Sequence, residues 1–244
     1  MDMNGDNPEL RSIPTEEPGR IDQRFRAAAV LAGGASLRMG GRDKQFLDAG
    51  GEPLAYRLLR RLGTVFTELA VVTNRPEEYL RYPGKVAAFP DRVGGYGPLS
   101  GLHAALSESS SPWVYVVACD TPEFDSRWVR MLSDEILREE SAGRAPLAAA
   151  AAFGAHIEPF HAFYSRNLLP HIETCFERRN FRERYCSIAS VLKGRPFLRL
   201  PEVRVRTLFP DWRLFRNINT PGDWESYKVR GSGMSDPFTT EDEA

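Results

Sequence analysis

Apolar residues recur along this chain in short unbroken runs, and between those runs they recur at helical spacing. Residues 26–32 read RAAAVLA and stop at glycines, which predicts a buried strand. Over residues 53–63, Leu54, Leu58, Leu59 and Leu62 share one helical face, with Pro53 in the first turn and Gly63 as the stop. The same reading predicts a strand over 68–74, a short helix over 77–82, a strand over 85–91 and a helix over 98–109. A strand over 113–120 and a helix over 126–140, capped by Ser126, follow. Strands that alternate with helices and are apolar on both faces imply an α/β fold whose parallel sheet is covered on both sides.

The second half is less regular. Residues 145–153 and 158–164 are strand candidates, although the alanines of the first are equally compatible with a helix. Residues 165–179 and 182–194 are mostly helical in pattern. Residues 214–227 predict a short strand, a turn at Thr220–Pro221 and a helix. Residues 1–24 and 231–244 lack periodicity and are expected to be disordered tails around one domain over 25–230. There is no internal repeat.

Composition narrows the classes. Hydrophobic residues make up 42% of 244, enough for a full core, and the net charge of −1 gives no bulk attraction to nucleic acid or membrane. No apolar run approaches the ~20 residues of a membrane span, and the polar N-terminus is no signal peptide. Three cysteines without CxxC spacing argue against a disulfide framework, a zinc knuckle or an iron–sulfur site, and predict the cytoplasm.

In a doubly wound sheet, ligands sit beyond the carboxyl ends of the strands. That rule brings four loops together: the glycine loop VLAGGASLRMGGRDK (30–44), Asn74, the 91–99 loop and Asp120. Glycine lets backbone N–H groups face an anion. Arg38 and Lys44 add full charges, so a polyphosphate is the natural ligand. Neither G-x-x-x-x-G-K-[ST] nor G-x-G-x-x-G is present, which argues against a P-loop NTPase and a dinucleotide-binding dehydrogenase. Asp120, after an apolar strand, is either a helix cap or a Mg²⁺ ligand, and beside a phosphate loop the metal is the better reading. Asp91 opens either a wide turn or a loop that binds base and ribose. Asn217 and Asn219 flank one apolar residue, so on a strand both amides face the same way. They suit polar recognition or a second metal contact, or else an ordinary turn entry. The four histidines form no recognised catalytic pattern, and no Ser or Cys motif supplies a nucleophile. Phosphoryl or nucleotidyl transfer needs none, because positioning and charge neutralisation do most of the work.

LAGGASLRMGGRDK, GPLSGL, ACDTP and NINTPGDW occur in an order and spacing that resembles the molybdenum cofactor guanylyltransferases, over about residues 26–228. The double glycine after Leu31–Ala32, together with the closing NINTP, is more specific to the guanylyl branch. Related cytidylyltransferases and sugar-nucleotide pyrophosphorylases more often carry LAAG. The resemblance implies a three-layer, Rossmann-like nucleotidyltransferase fold with a mostly parallel central sheet. It implies that Leu31, Ala32, Gly33 and Gly34 meet the nucleotide through backbone groups, and that Lys44 neutralises the GTP phosphates. Asn74 and Asp91 match positions that bind guanosine, and Gly97, Pro98 and Leu99 shape that pocket. Asp120 matches the position that binds Mg²⁺ and nucleotide phosphates, and Asn217 and Asn219 match the pterin side of the cleft. Glu123 stands where the family usually has an aromatic or apolar residue, and Phe160 where Leu is more usual.

The implied reaction is transfer of GMP from GTP to the terminal phosphate of molybdopterin, with or without its molybdenum. Lys44, Asp120 and Arg38 are then the catalytic residues, and Mg²⁺ the cofactor. Implied protein partners are molybdoenzyme-specific chaperones or cofactor-insertion proteins. The alternatives are a cytidylyltransferase or another sugar- or alditol-phosphate nucleotidyltransferase, and a non-catalytic module that binds nucleotide or cofactor.

Overall fold

The apolar run near the start of the chain becomes the middle of a sheet because both of its faces have something to bury against. The computed structural model describes residues 21–33, 43–177 and 186–231. Gly34 and Arg38 lie outside the described residues. The eight described strands are β1 (Ala27–Leu31), β2 (Glu68–Val72), β3 (Ala87–Phe89), β4 (Trp113–Ala118), β5 (Ala148–Phe153), β6 (His156–Ile157), β7 (Ala162–Ser165) and β8 (Leu198–Pro201). They form one sheet in the order β3-β2-β1-β4-β7-β5-β6, with β8 paired to β5. The pairs β1–β2, β1–β4, β2–β3 and β5–β8 are parallel, and β7 runs antiparallel to both β4 and β5.

Period-two alternation divides the core. On β1, Ala28 and Val30 face one hydrophobic cluster, and Ala27, Ala29 and Leu31 face the other. On β4, Tyr115 and Val117 join the first cluster, and Val114 and Val116 the second. Helices α1 (Leu54–Leu62) and α3 (Ser126–Ser141) cover the first face. Helices α2 (Pro98–Glu108), α4 (Leu169–Glu177) and α5 (Ile188–Leu192) cover the second. The result is the expected three-layer α/β arrangement. In α1, Leu54, Leu58, Leu59 and Leu62 are all 1% exposed or less. Burying each contributes roughly 1.5–3 kcal/mol.

The alanine run resolves as strand. Alanine has little strand preference of its own, but Ala149–Ala152 pair with β8, and Ala148 and Ala149 with β7. Pairing on both sides overrides propensity. The remaining helices are α6 (Glu202–Leu208), which the sequence pattern did not reveal, nor β8 before it, and α7 (Pro221–Gly231). None of the described helices is long and apolar enough to cross a membrane.

Three expectations need correction. Residues 214–219 form no strand: Arg213–Phe215 is a 3₁₀ turn and the chain beyond it is irregular. The backbone of 216–219 pairs with no strand partner, and Ile218 N–H instead donates to Asp120 O at 2.7 Å. The α3 cap is Asp125, whose carboxylate accepts from Arg127 N at 2.9 Å, and Ser126 is the first helical residue. Finally, Cys175 and Cys186 form a disulfide with Cα atoms 6.3 Å apart. Count and motif spacing argue against one, but α4 and α5 pack on the same sheet face and bring the two thiols together.

Asp125→Ala should lower unfolding stability by about 1 kcal/mol, whereas Ser126→Ala should stay within about 0.5 kcal/mol; urea denaturation at pH 7 measures both. Burial alone would raise the Asp125 carboxyl, but hydrogen bonds from the Arg127 side chain and backbone outweigh it and hold it below 3.8. A depressed folded-state pKa stabilises above the unfolded value and is lost as the group protonates in the fold. The gap between Asp125→Ala and the wild type should therefore narrow as the pH falls below 3.8.

Candidate active site

A cleft of about 370 Å³ opens where β1 and β4 end and α2 begins. Of the residues expected to bind a nucleotide, Leu31, Ala32, Gly33 and Lys44 line it. Asp91, Gly97, Pro98 and Asp120 line it as well. The parallel pairing explains the convergence. Leu31 is in register with Val72 and Ala118, so three strands deliver their next residues to the same edge.

Lys44 starts a 3₁₀ turn, Lys44–Phe46, that follows the glycine loop. Its side chain is only 8% exposed. Nζ donates to Asn219 Oδ1 at 2.9 Å and lies 3.7 Å from Asp120 Oδ2. The turn itself is pinned by a buried polar network. Asp43 accepts from Gln45 N at 3.2 Å and from Gln45 Nε2 at 2.8 Å. Gln45 Oε1 accepts from Thr73 Oγ1 at 3.1 Å and from Tyr79 Oη at 2.7 Å. The lysine is thereby fixed to the end of β2.

Asp120 sits at the tip of a turn after β4, its side chain 28% exposed. The loop beyond it is tied to α1: Arg61 donates to Phe124 O at 2.7 Å and pairs with Glu123 at 3.4 Å. The unusual Glu123 is thus matched by an arginine on the neighbouring helix. Cys119 also faces the cleft, but burial first, and then the nearby Asp120, pushes its thiol far up, so no thiolate nucleophile exists at neutral pH.

Burial raises the Asp91 carboxyl above its ordinary range. Gly97 precedes α2 with φ +55°, a conformation costly for other residues. A Cβ on Gly101 would approach Leu31 Cδ1 to 3.1 Å, so glycine there lets α2 lie close on β1.

The remaining candidates lie elsewhere. Asn219 reaches the cleft through Lys44, while Asn217 is exposed and outside the lining. The two amides do not act as a pair, because the segment is not a strand. Asn74 is exposed beyond β2 and does not line the cleft. Leu99 is buried in the core beneath α2. Sequence reasoning missed Asp43, Gln45 and Phe160, all of which line the cleft. Asp43 stood inside the quoted glycine motif and Phe160 stood out only as a departure from the family's usual Leu, but nothing local marked Gln45.

Comparison with known proteins agrees with this fold. Residues 28–189 match the family described as the MobA-like NTP transferase domain. The chain is 36% identical over 211 residues to the molybdenum cofactor guanylyltransferase of Syntrophotalea carbinolica, covering 86% of this chain and 94% of that protein. Among solved structures, molybdopterin-guanine dinucleotide biosynthesis protein A from Archaeoglobus fulgidus superposes with a TM-score of 0.68 at 24% identity, covering 85% of this chain and all of that one. The 4-diphosphocytidyl-2C-methyl-D-erythritol synthase of Anaerococcus prevotii shares the fold with a TM-score of 0.55 at 14% identity, over 86% of this chain and 97% of that one. With its cleft at the carboxyl edge of the sheet and its match over most of the domain, the chain belongs to the MobA-like NTP transferase family and is a nucleotidyltransferase.

Proposed function

We propose that this chain is a molybdenum cofactor guanylyltransferase. It transfers GMP from GTP to the terminal phosphate of molybdopterin or Mo-molybdopterin and releases pyrophosphate. The observation that carries the reading is the meeting of Lys44, held by Asn219, and Asp120 in one cleft with Asp91. The guanylyltransferase named above, alike over most of both chains, supports the choice of base and acceptor.

The acceptor phosphate is ionised at neutral pH, so no protein base is required. One of its oxygens forms the new bond to the α-phosphorus of GTP. The bond from that phosphorus to the β-phosphate oxygen breaks, and pyrophosphate leaves with the electron pair. An ammonium has three donors. Among the described residues Lys44 uses one on Asn219, which leaves two for phosphate oxygens. Arg38 and the amides of the glycine loop, Gly34 among them, take the remaining pyrophosphate charge in this reading.

The donor set fits Mg²⁺. Asp120 offers a partly exposed carboxylate, and among the described residues no three His, Cys, Asp or Glu side chains gather into a closed cage. That suits an ion held by one or two carboxylates, substrate phosphates and water. Held by Asp120, Mg²⁺ would neutralise charge developing on the phosphate oxygens.

Asp91 accounts for the base. Guanine presents two adjacent donors, N1–H and the N2 amino group, to a carboxylate. Cytosine presents only its N4 amino group. A cytoplasmic location belongs to the same reading, and there the Cys175–Cys186 disulfide would meet reducing thiol pools.

Asp120→Asn should fold normally and lose about 100-fold or more in Mg²⁺-dependent kcat; near-normal turnover would overturn the metal role. Pyrophosphate release with molybdopterin as acceptor should be far faster with GTP than with CTP, and the reverse preference would assign a cytidylyltransferase instead. Asp91→Asn should raise KM for GTP by roughly 10- to 100-fold with little change in kcat, the mark of lost ground-state binding.

A further inference from the structure

The outer edge of the cleft is built by a break in a strand. Ile157 still pairs with β5, and Glu158 N reaches Ala151 O at 3.0 Å. Ala162 is already paired with Val116 of β4. Between them His161 takes φ +52°, a left-handed conformation uncommon outside glycine. Phe160 is set into the cleft wall, and His161 is fully buried behind it. A strained residue of this kind persists only where its surroundings over-determine it.

Three hydrogen bonds do so. The His161 carbonyl accepts from Trp128 Nε1–H of α3 at 2.7 Å. Nδ1 lies 3.0 Å from Tyr115 Oη, and Nε2 lies 3.0 Å from Thr121 O. A carbonyl oxygen only accepts, so Nε2 carries the proton. Burial, against the opposing bond to Thr121, drives the ring down to a pKa of about 3, so it is neutral and Nδ1 holds a lone pair. Tyr115 therefore donates to Nδ1.

The chain of bonds ends on the turn that carries Asp120. Thr121 N and Thr121 Oγ1 both donate to Ala118 O, each at 3.0 Å, which closes residues 118–121 into a tight turn. Its last carbonyl belongs to a residue only 2% exposed. A buried acceptor needs a donor, and His161 supplies it.

We infer that His161 is a positioning residue for Asp120: its ring, oriented by Tyr115 and bonded to Thr121 O, fixes the turn that presents the carboxylate to the cleft. The inference rests on the role of Asp120 proposed above.

The test uses the full chain with two variants. His161→Leu keeps bulk and removes the donor, and His161→Gln keeps a donor toward Thr121. The expected result is a loss of about 10- to 100-fold in kcat for His161→Leu, with a matching rise in the Mg²⁺ needed for half-maximal turnover. KM for the nucleotide should change little. His161→Gln should recover most of both losses even if the two variants share a lowered Tm. In ¹⁵N spectra of the wild-type imidazole, Nε2 should be protonated and Nδ1 not. A His161→Leu protein that melts earlier yet keeps its kcat and Mg²⁺ requirement would overturn the inference, as would a glutamine variant no better than leucine or the opposite tautomer. Should His161→Leu fail to fold, the tautomer and the glutamine variant still decide. Turnover is scored on whichever triphosphate the wild type uses, so inactivity with GTP alone sinks the guanylyl reading and leaves the positioning role to its own result.

Discussion

A lysine ammonium withdrawn almost wholly from water sets the terms for the rest of the cleft. Taking such a charge out of solvent costs several kcal/mol unless partners replace the water. The partners of Lys44 come from far along the chain: Asn219 from 175 residues later, and Asp120 from the end of β4. Both must be held still, and the fold does this twice over. Ile218 N–H binds the Asp120 carbonyl at 2.7 Å, so the closing segment and the β4 turn move as one. Ile218, Trp224 and Tyr227 then pack with Leu47, Ala49 and Leu54 in a third hydrophobic cluster. The Asp223 carboxylate accepts from Asn219 N and Thr220 N, at 3.0 and 2.8 Å, and fixes the asparagine backbone at the start of α7. The charged end of the cleft is therefore complete only when α7 has docked.

This dependence explains which parts were legible in the sequence. β1 and β4 were plain because both faces of each are buried, so the apolar run itself records the burial. Asp120 was plain because a charge at the end of such a run has few structural uses, and Lys44 because it closes a glycine loop suited to phosphate. Gln45 was not: its partners Thr73 and Tyr79 lie 28 and 34 residues away, and a glutamine inside a polar stretch carries no periodic signal. β8 escaped because only Leu200 in it is buried, and its strand character comes from β5. The closing segment was misread for the opposite reason. Alternating Asn-Ile-Asn has the period of a strand, but the partner of Ile218 is a single carbonyl in a turn.

The reversed strand β7 shows how topology adds what local pattern cannot. The parallel strands β1, β2, β3 and β4 deliver their exits to the cleft edge, and an exit is tied to the end of its own strand. β7 runs against β4, with Ala162 opposite Val116 and Ser165 opposite Trp113. Its entry therefore arrives beside the exit of β4. An entry segment can take a strained path before pairing begins, and residues 158–161 use that freedom to put Phe160 in the wall and His161 behind Asp120. Neither residue has a local signature, because each owes its place to a register five strands into the sheet. Lengthening that segment by one residue would leave the β7 register open to pairing but would displace Phe160 from the wall and His161 from its bonds to Tyr115 and Thr121. The four residues before β7 thus shape the cleft through side-chain bonds added on top of the strand register.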